Sequence, residues 1–322
     1  MIGRVKSTEI FAHFGLNESG VTETYFGGNS EVYRFKSGEN GDLALKIYRG
    51  LERRNQLSLE HELEAHKVVG ECNILPLPKL IDSWEVQPSI LYKWIVGETP
   101  KPDDSARESI LDAVKKTREL YLSKTSHLFA TDAIGSGADL LNQLESRQKS
   151  ISGIDNIPED LLRILETANV SLRYLLPGDV MFPIDTFSFS DYGIHNMLKS
   201  VEGSYFFIDF EYFGKDSTSK LIADLFLHPK GIFKATELLK FLDSFDEPDL
   251  SMKTVKYLIP GLALKWMYII TQRNIDWNQR TYMTSSNHFE DPILYAKYLE
   301  YVFRESEKGN LQTFHEFKSM RD

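Results

Sequence analysis

The chain of 322 residues holds a single cysteine, Cys72, so no intramolecular disulfide is available and the fold does not depend on an oxidising compartment; a reduced cytoplasm fits. Cys72 lies in GECNILPLP with nothing beside it to lower its pKa, and it reads as a small semi-buried residue rather than a nucleophile. No apolar run approaches the ~18 residues needed to span a bilayer. The opening MIGRVKSTEIFAHFG lacks an apolar stretch followed by a small-residue cleavage site, so neither export nor membrane insertion is expected. Basic residues are outnumbered, 37 against 47 acidic ones for a net charge of -10. That balance argues against a binder of phosphate backbones, whose affinity comes from clustered Lys and Arg, and hence against a nucleic-acid partner. There is no low-complexity tract and no internal repeat. What remains is an ordinary globular composition, 42% hydrophobic and 26% charged, in a chain long enough for two lobes of unequal size.

The patterning changes partway along. Residues 22 to 48 alternate as strands, TETYF, EVYRFKS and DLALKIY, broken by the turns Gly27-Gly28-Asn29-Ser30 and Gly38-Glu39-Asn40-Gly41. The segment 51 to 70, LERRNQLSLEHELEAHKVVG, carries apolar residues at helical spacing and ends on Gly70. Two further short strands, LIDSWEV and SILYKWI, follow Pro76 and Pro78. From Asp103 onward long helical patterns take over, SARESILDAVKKTRELYL, DLLNQLESRQKSI, PEDLLRILETANVSLRYL and YLIPGLALKWMYIITQR. These patterns predict an α+β chain in three parts: an amino-terminal lobe over 1–92, built on a small antiparallel sheet with one helix; a hinge over 93–100, around Val96-Gly97-Glu98-Thr99-Pro100; and a larger, mainly helical lobe over 101–322.

The densest chemistry lies in SDYGIHNML (190–198) and, after the turn 200–204, in FFIDFE (206–211). Asp191 stands five residues before Asn196, and Asp209 ends an apolar strand. Phosphoryl transfer needs a group that orients a hydroxyl nucleophile and oxygen ligands that hold magnesium against the phosphates, and this spacing supplies both. Upstream, Lys46 sits in the strand ALKIY ahead of a glutamate-bearing helix.

Taken in order over residues 22 to 230, these motifs resemble those of the aminoglycoside phosphotransferase and choline kinase group of small-molecule kinases, within the protein-kinase-like fold. The resemblance implies a bilobal enzyme that uses ATP and Mg2+ to phosphorylate a hydroxyl of a small molecule. By the same resemblance Gly27, Gly28, Asn29 and Ser30 cover the phosphates, although a glycine pair also suits a plain hairpin turn. Lys46 meets the α- and β-phosphates and pairs with a helix glutamate, chosen as Glu62 with Glu60 and Glu64 as rivals. Backbone near Tyr92, Lys93, Trp94 and Ile95 receives the adenine; Trp94 also suits core packing. Asp191 takes the acceptor proton, Asn196 and Asp209 bind the metal, and Asp224 anchors the catalytic loop as structural support.

Two positions depart from the family pattern. Phe189 stands where a histidine usually braces the loop, and could pack in its place; Phe210-Glu211 follow the metal aspartate where protein kinases have Phe-Gly. His195 suits a loop histidine that faces solvent or caps a carbonyl, and Lys215 with Asp216 suits a solvated turn. The acceptor, a sugar, amino sugar or amino alcohol, is expected against the helical lobe near Lys265, Trp266, Tyr268 and Gln272. The competing reading is a catalytically weak, nucleotide-binding regulatory module. Nothing in the sequence bears on oligomeric state.

Overall fold

The structure is a computed structural model that describes residues 7–27, 29–36, 41–49, 51–72, 74–154, 157–228, 232–233, 252–273, 300, 303–305 and 308. Its first body is an antiparallel sheet in the order β1-β2-β3-β5-β4. The strands are β1 (Val21–Phe26), β2 (Ser30–Phe35), β3 (Leu43–Tyr48), β4 (Leu80–Trp84) and β5 (Ser89–Lys93). Between β3 and β4 runs α2 (Glu52–Val68), and ahead of β1 lies a short helix, α1 (Ser7–His13), which the sequence reading did not place.

Side-chain alternation along β3 decides what each face of the sheet meets. Leu45 and Ile47 point to one side, where they join Phe35, Leu91 and the α1 residues Ile10 and Phe11 in a buried cluster. Tyr48 points to the other, packing with Ile90, Tyr92 and Leu59 of α2. Lys46 shares the Tyr48 side, where its ammonium avoids an unpaired burial by meeting carboxylates, one of them from α2.

The second body is helical, as expected: α3 (Asp104–Ser123), α4 (Gly137–Ile151), α5 (Glu159–Leu175), α6 (Thr218–Leu227) and α7 (Met252–Arg273). Asp103 caps α3 by accepting from Ala106 N at 2.9 Å. Ser136 caps α4, accepting from Asp139 N at 3.2 Å while donating to Asp139 Oδ2 at 2.9 Å. Pro260 does not end α7, and next to it Gly261 lets the helix approach α4 so closely that a Cβ there would lie 2.4 Å from Leu140 Cδ2.

Two small sheets are set into this lobe. β7 (Thr186–Ser188) pairs antiparallel with β10 (Gly214–Asp216), and β8 (Met197–Ser200) pairs with β9 (Tyr205–Phe207). The two-residue strand β6 (Gly97–Glu98), at the far end of the expected hinge, pairs with β8. The loops Ser188 to Met197 and Phe207 to Gly214 are thereby held side by side, each between two strands. This is the α+β bilobal architecture that the sequence predicts. No helix among the described residues is long and apolar enough to cross a membrane.

Candidate active site

Lys46 Nζ lies 2.5 Å from Glu62 Oε2 and 2.5 Å from Asp209 Oδ1. Of the three candidate glutamates on α2, Glu62 is therefore the one that meets the lysine. Glu60 faces outward to His127 at 3.4 Å, and Glu64 lies 3.4 Å from Lys67. Tyr48 and Tyr92 both donate their hydroxyls to Glu62, the latter at 2.6 Å. Burial by itself would raise the Glu62 carboxyl; the Lys46 charge and these hydrogen bonds outweigh it and hold the group below the ordinary carboxylate range. Burial would likewise lower Lys46, but the charges of Asp209, Glu62 and Glu211 overcome it and keep the ammonium protonated well above its usual range.

Three carboxylates around one ammonium leave an excess of negative charge. Asp209 registers it: burial and the neighbouring Glu62 and Glu211 push its carboxyl up despite the lysine. Glu211 was noted in the sequence only as a departure after the metal aspartate. It is 4% exposed, and its Oε2 is buried without a hydrogen-bond partner. Asn196 spends Nδ2 on Asp191 O at 3.2 Å, which leaves Oδ1 as the atom a cation would use, and Ile208 N donates to Asn196 O at 2.9 Å, fixing Asn196 beside the segment that carries Asp209. Asn196 Oδ1, Asp209 and the orphaned Glu211 oxygen are the hard donors that suit magnesium. Among the described residues no group of three His, Cys, Asp or Glu side chains is placed to hold a metal ion.

The residues before and at the two loops have backbones that few side chains adopt: Ser190 at φ 62° and Asp209 at φ 67°. Left-handed backbone at non-glycine residues costs about 1–2 kcal/mol each and recurs where a loop must aim a functional group. Phe189, ahead of Ser190, is 2% exposed and packs its ring against Tyr192, Phe207, Phe210 and Phe213 at centroid distances of 5.3, 5.7, 5.0 and 5.9 Å. Where the kinases that the sequence resembles have a histidine, this chain has a cluster of rings.

Asp191 accepts at Oδ1 from Gly193 N at 3.0 Å, and the same oxygen lies 3.0 Å from His228 Nε2; Oδ2 lies 3.5 Å from His195 Nε2. Burial would raise this carboxyl, but the His228 charge and the hydrogen bonds from both imidazoles hold it well below the usual range. His195 thus meets the aspartate while its side chain stays 35% exposed, so the expected solvent-facing histidine also has a carboxylate neighbour. His228 was missed altogether; in LFLHP nothing distinguishes it from a histidine that merely ends a helix.

Three other expectations also change. Asp224 does not reach the catalytic-loop backbone: its carboxylate accepts from Trp266 Nε1 at 3.2 Å and lies 3.1 Å from Lys220 Nζ. Asp216 is no solvated turn residue, being fully buried and 2.8 Å from Lys220 Nζ. Of the four α7 residues expected near the acceptor, Trp266 alone borders Asp191's surroundings, through His228. Lys265 is paired at 3.1 Å with Asp132, Tyr268 is buried, and Gln272 is exposed.

Around the glycine turn, Gly27 N donates to Ser30 O at 2.8 Å, closing the hairpin; Gly28 lies outside the described residues. Ser30 is buried. Asn29 reaches across to the other lobe, donating Nδ2 to Glu211 Oε1 at 2.7 Å and to Tyr212 OH at 2.8 Å. In the segment expected as the hinge, Lys93 N is bonded to Lys79 O at 2.9 Å and Trp94 N to Asp42 O at 2.8 Å, while the Trp94 ring stacks on Tyr25 at 5.9 Å. Tyr92 is committed to β5 and to Glu62. Ile95 is the one of the four whose backbone has no hydrogen bond to another described residue.

No family model and no curated protein matches the sequence. The three-dimensional structure does find relatives. A choline kinase from Cryptosporidium parvum superposes with a TM-score of 0.63 at 15% identity, covering 97% of this chain and 99% of that one. A choline/ethanolamine kinase family protein from Mesorhizobium loti gives 0.58 at 18% identity over 98% and 97% of the two chains. A spectinomycin phosphotransferase in complex with ADP and spectinomycin gives 0.59 at 12% identity over 94% and 98%. The group that the sequence motifs resemble is thus the group whose solved structures this chain follows over nearly its whole length, and the chain has the protein-kinase-like fold of the choline kinases and aminoglycoside phosphotransferases.

Proposed function

We propose that the protein is an ATP- and magnesium-dependent phosphotransferase that moves the γ-phosphate to a hydroxyl of a small molecule. The observation that carries this reading is the contact of Lys46 with both Glu62 and Asp209 at 2.5 Å. It brings a strand lysine, a helix glutamate and a loop carboxylate together, and Ile208 N–H ties that loop to the Asn196 segment. Lys46 would hold the α- and β-phosphates, with Glu62 fixing its direction. Magnesium, when bound, neutralises charge on the phosphates; Asn196 Oδ1 and Asp209, with Glu211 beside them, would hold it. The glycine turn at residues 27 to 30 would close over the phosphates, and the uncommitted Ile95 backbone would receive the base. The acceptor hydroxyl would enter beside Asp191, which orients it and takes its proton while the oxygen attacks the γ-phosphorus and ADP departs.

A narrow crevice lined by Ser190, Tyr192, Leu221, Asp224, Leu225 and His228 marks the side of Asp191 from which the acceptor would approach. The acceptor in this reading is a sugar, amino sugar or amino alcohol, with Tyr192 and His228 as the rings nearest to it. Phe189 was the feature that favoured a catalytically weak regulatory module, and its ring contacts supply the brace that the missing histidine would have given. A cytoplasmic location is part of the proposal, consistent with the lone cysteine.

The test is mass spectrometry of a metabolite extract and an aminoglycoside panel incubated with magnesium, ATP and either wild type or Asp191→Asn. A compound should gain one phosphoryl group with wild type alone. Calorimetry should show Asp191→Asn binding nucleotide normally and Asp209→Asn losing magnesium-dependent affinity. Equal turnover by wild type and both variants would sink the assignment.

A further inference from the structure

The phosphotransfer reading makes Asp191 the group that meets the acceptor, and the structure shows what fixes its direction. A carboxylate free to turn presents either oxygen. Here Oδ1 is held twice, by Gly193 N–H and by His228 Nε2, each at 3.0 Å. Oδ2 meets, among the described residues, His195 Nε2 at 3.5 Å, the outer edge of hydrogen-bond reach.

His228 comes from a different element. It ends α6, where its backbone N–H donates to Asp224 O at 2.8 Å, and it is 7% exposed. Its ring meets the Trp266 ring edge to face, centroids 4.8 Å apart at 77°. The indole is fixed in turn by Nε1–H to Asp224 Oδ1 at 3.2 Å; Asp224 pairs with Lys220 at 3.1 Å, and Lys220 with Asp216 at 2.8 Å. Every member of this series after His228 except Trp266 is also less than one-tenth exposed, so the series has little freedom to shift. The crevice beside it includes His228 and Asp224 in its wall.

We propose that His228 is the positioning residue of the catalytic aspartate: its Nε2–H clamps Asp191 Oδ1, so that Oδ2 is the oxygen turned to the acceptor hydroxyl, and Trp266 with Asp224 carries that support into α7 and α6. The proposal deepens the phosphotransfer reading and rests on it. In the step it serves, the hydroxyl proton passes to Oδ2, the electron pair left on oxygen forms the bond to the γ-phosphorus, and the bond from that phosphorus to the bridging oxygen breaks to give ADP. His228 keeps its own proton throughout. Asp224 braces the catalytic aspartate after all, through the indole and the imidazole instead of through loop backbone.

The contact is tested apart from turnover by nuclear magnetic resonance of the full chain labelled with 15N-histidine. His228 should show a slowly exchanging, hydrogen-bonded Nε2 proton that disappears in Asp191→Ala. A His228 ring whose proton exchanges as fast as an exposed imidazole's overturns the proposal, whether or not the protein is a kinase. Kinetics then separate positioning from packing. His228→Leu should lower kcat 10- to 100-fold with the acceptor found in the panel while leaving the magnesium-ATP Kd within twofold, and His228→Gln, which restores an N–H donor, should recover most of the loss. Wild-type kcat in His228→Leu overturns the proposal, as does an equal loss in both variants accompanied by equal loss of melting temperature. If His228→Leu fails to fold, the glutamine variant and the imidazole spectrum still decide. If no compound in the panel is phosphorylated, the phosphotransfer reading fails while the spectrum still reports on the contact.

Discussion

Glu62 accepts hydrogen bonds from Lys46, Tyr48 and Tyr92 at a position 1% exposed. Its removal leaves the Lys46 ammonium with Asp209 alone and orphans two hydroxyls in a buried space, whereas Glu60, two residues away, holds an exposed pair with His127. Breaking a buried ion pair from one side costs about 3–5 kcal/mol, and an exposed one within about 0.5 kcal/mol. Urea unfolding should therefore find Glu62→Ala destabilised by that larger amount and Glu60→Ala unchanged. Similar losses for the two would mean that Lys46 is not held as the structure has it. Alternation along the strand carries Lys46 toward α2, but the helix places glutamates at 60, 62 and 64, and a rotation of about half a turn exchanges Glu62 for the face shared by Glu60 and Glu64. That choice is made by how Leu59 and Ala65 seat in the core, which no local pattern records.

At the scale of elements, strand β10 lies against the loop that precedes α4 so tightly that a Cβ on Gly214 would stand 2.4 Å from Ala130 N and from Phe129 C. Those are backbone atoms that cannot step aside. The same 2.4 Å approach at Gly261 meets the end of the Leu140 side chain, which can rotate. Gly214→Ala should therefore cost more than the 1–3 kcal/mol typical of overpacking, and Gly261→Ala less, read as melting temperatures; a reversed order would mean the loop is not seated on β10. Elements of this kind also mark the limit of reading from sequence. The meander was legible from strand-type residues bounded by glycine turns, and α2 and the long helices of the second lobe because their apolar residues recur with one period over ten or more positions. Strands β6, β7 and β10 have two or three residues each and exist through partners far away in the chain. Helix α1 has a pattern too short to separate from loop. In the site, Asp191, Asn196 and Asp209 were legible from spacing, while His228 and Glu211 became functional candidates only through the fold, one arriving from the end of another helix and the other left with a buried oxygen unpaired.

Across the whole molecule, buried charge stitches the second lobe together. Asp132, in the loop between α3 and α4, pairs with Arg147 of α4 at 2.9 Å and with Lys265 of α7 at 3.1 Å. Burial would raise its carboxyl, but the charges of Lys265, Arg147 and Lys220 outweigh that and hold it well below the ordinary carboxylate range. The consequence for stability has a definite sign. An unfolded aspartate takes up its proton near pH ~4, while the folded one still resists it. The contribution is therefore fully present above that pH and is lost as pH falls from there through the folded value. Asp216 has the opposite tendency, since its burial pushes its carboxyl up, and Asp191 the same one as Asp132. Acid titration of wild type alone would mix all three, but the difference between wild type and Asp132→Asn cancels the two shared groups. In that difference Asp132→Asn should be less stable by about 2 kcal/mol at pH 7, below the cost of severing a fully buried pair because part of the side chain meets solvent. The gap should hold constant down to pH ~4 and close progressively below it. Urea midpoints measured from pH 7 to pH 3 settle the matter: a gap that stays constant across the series would mean that Asp132 does not carry its charge against Lys265 and Arg147 in the folded protein.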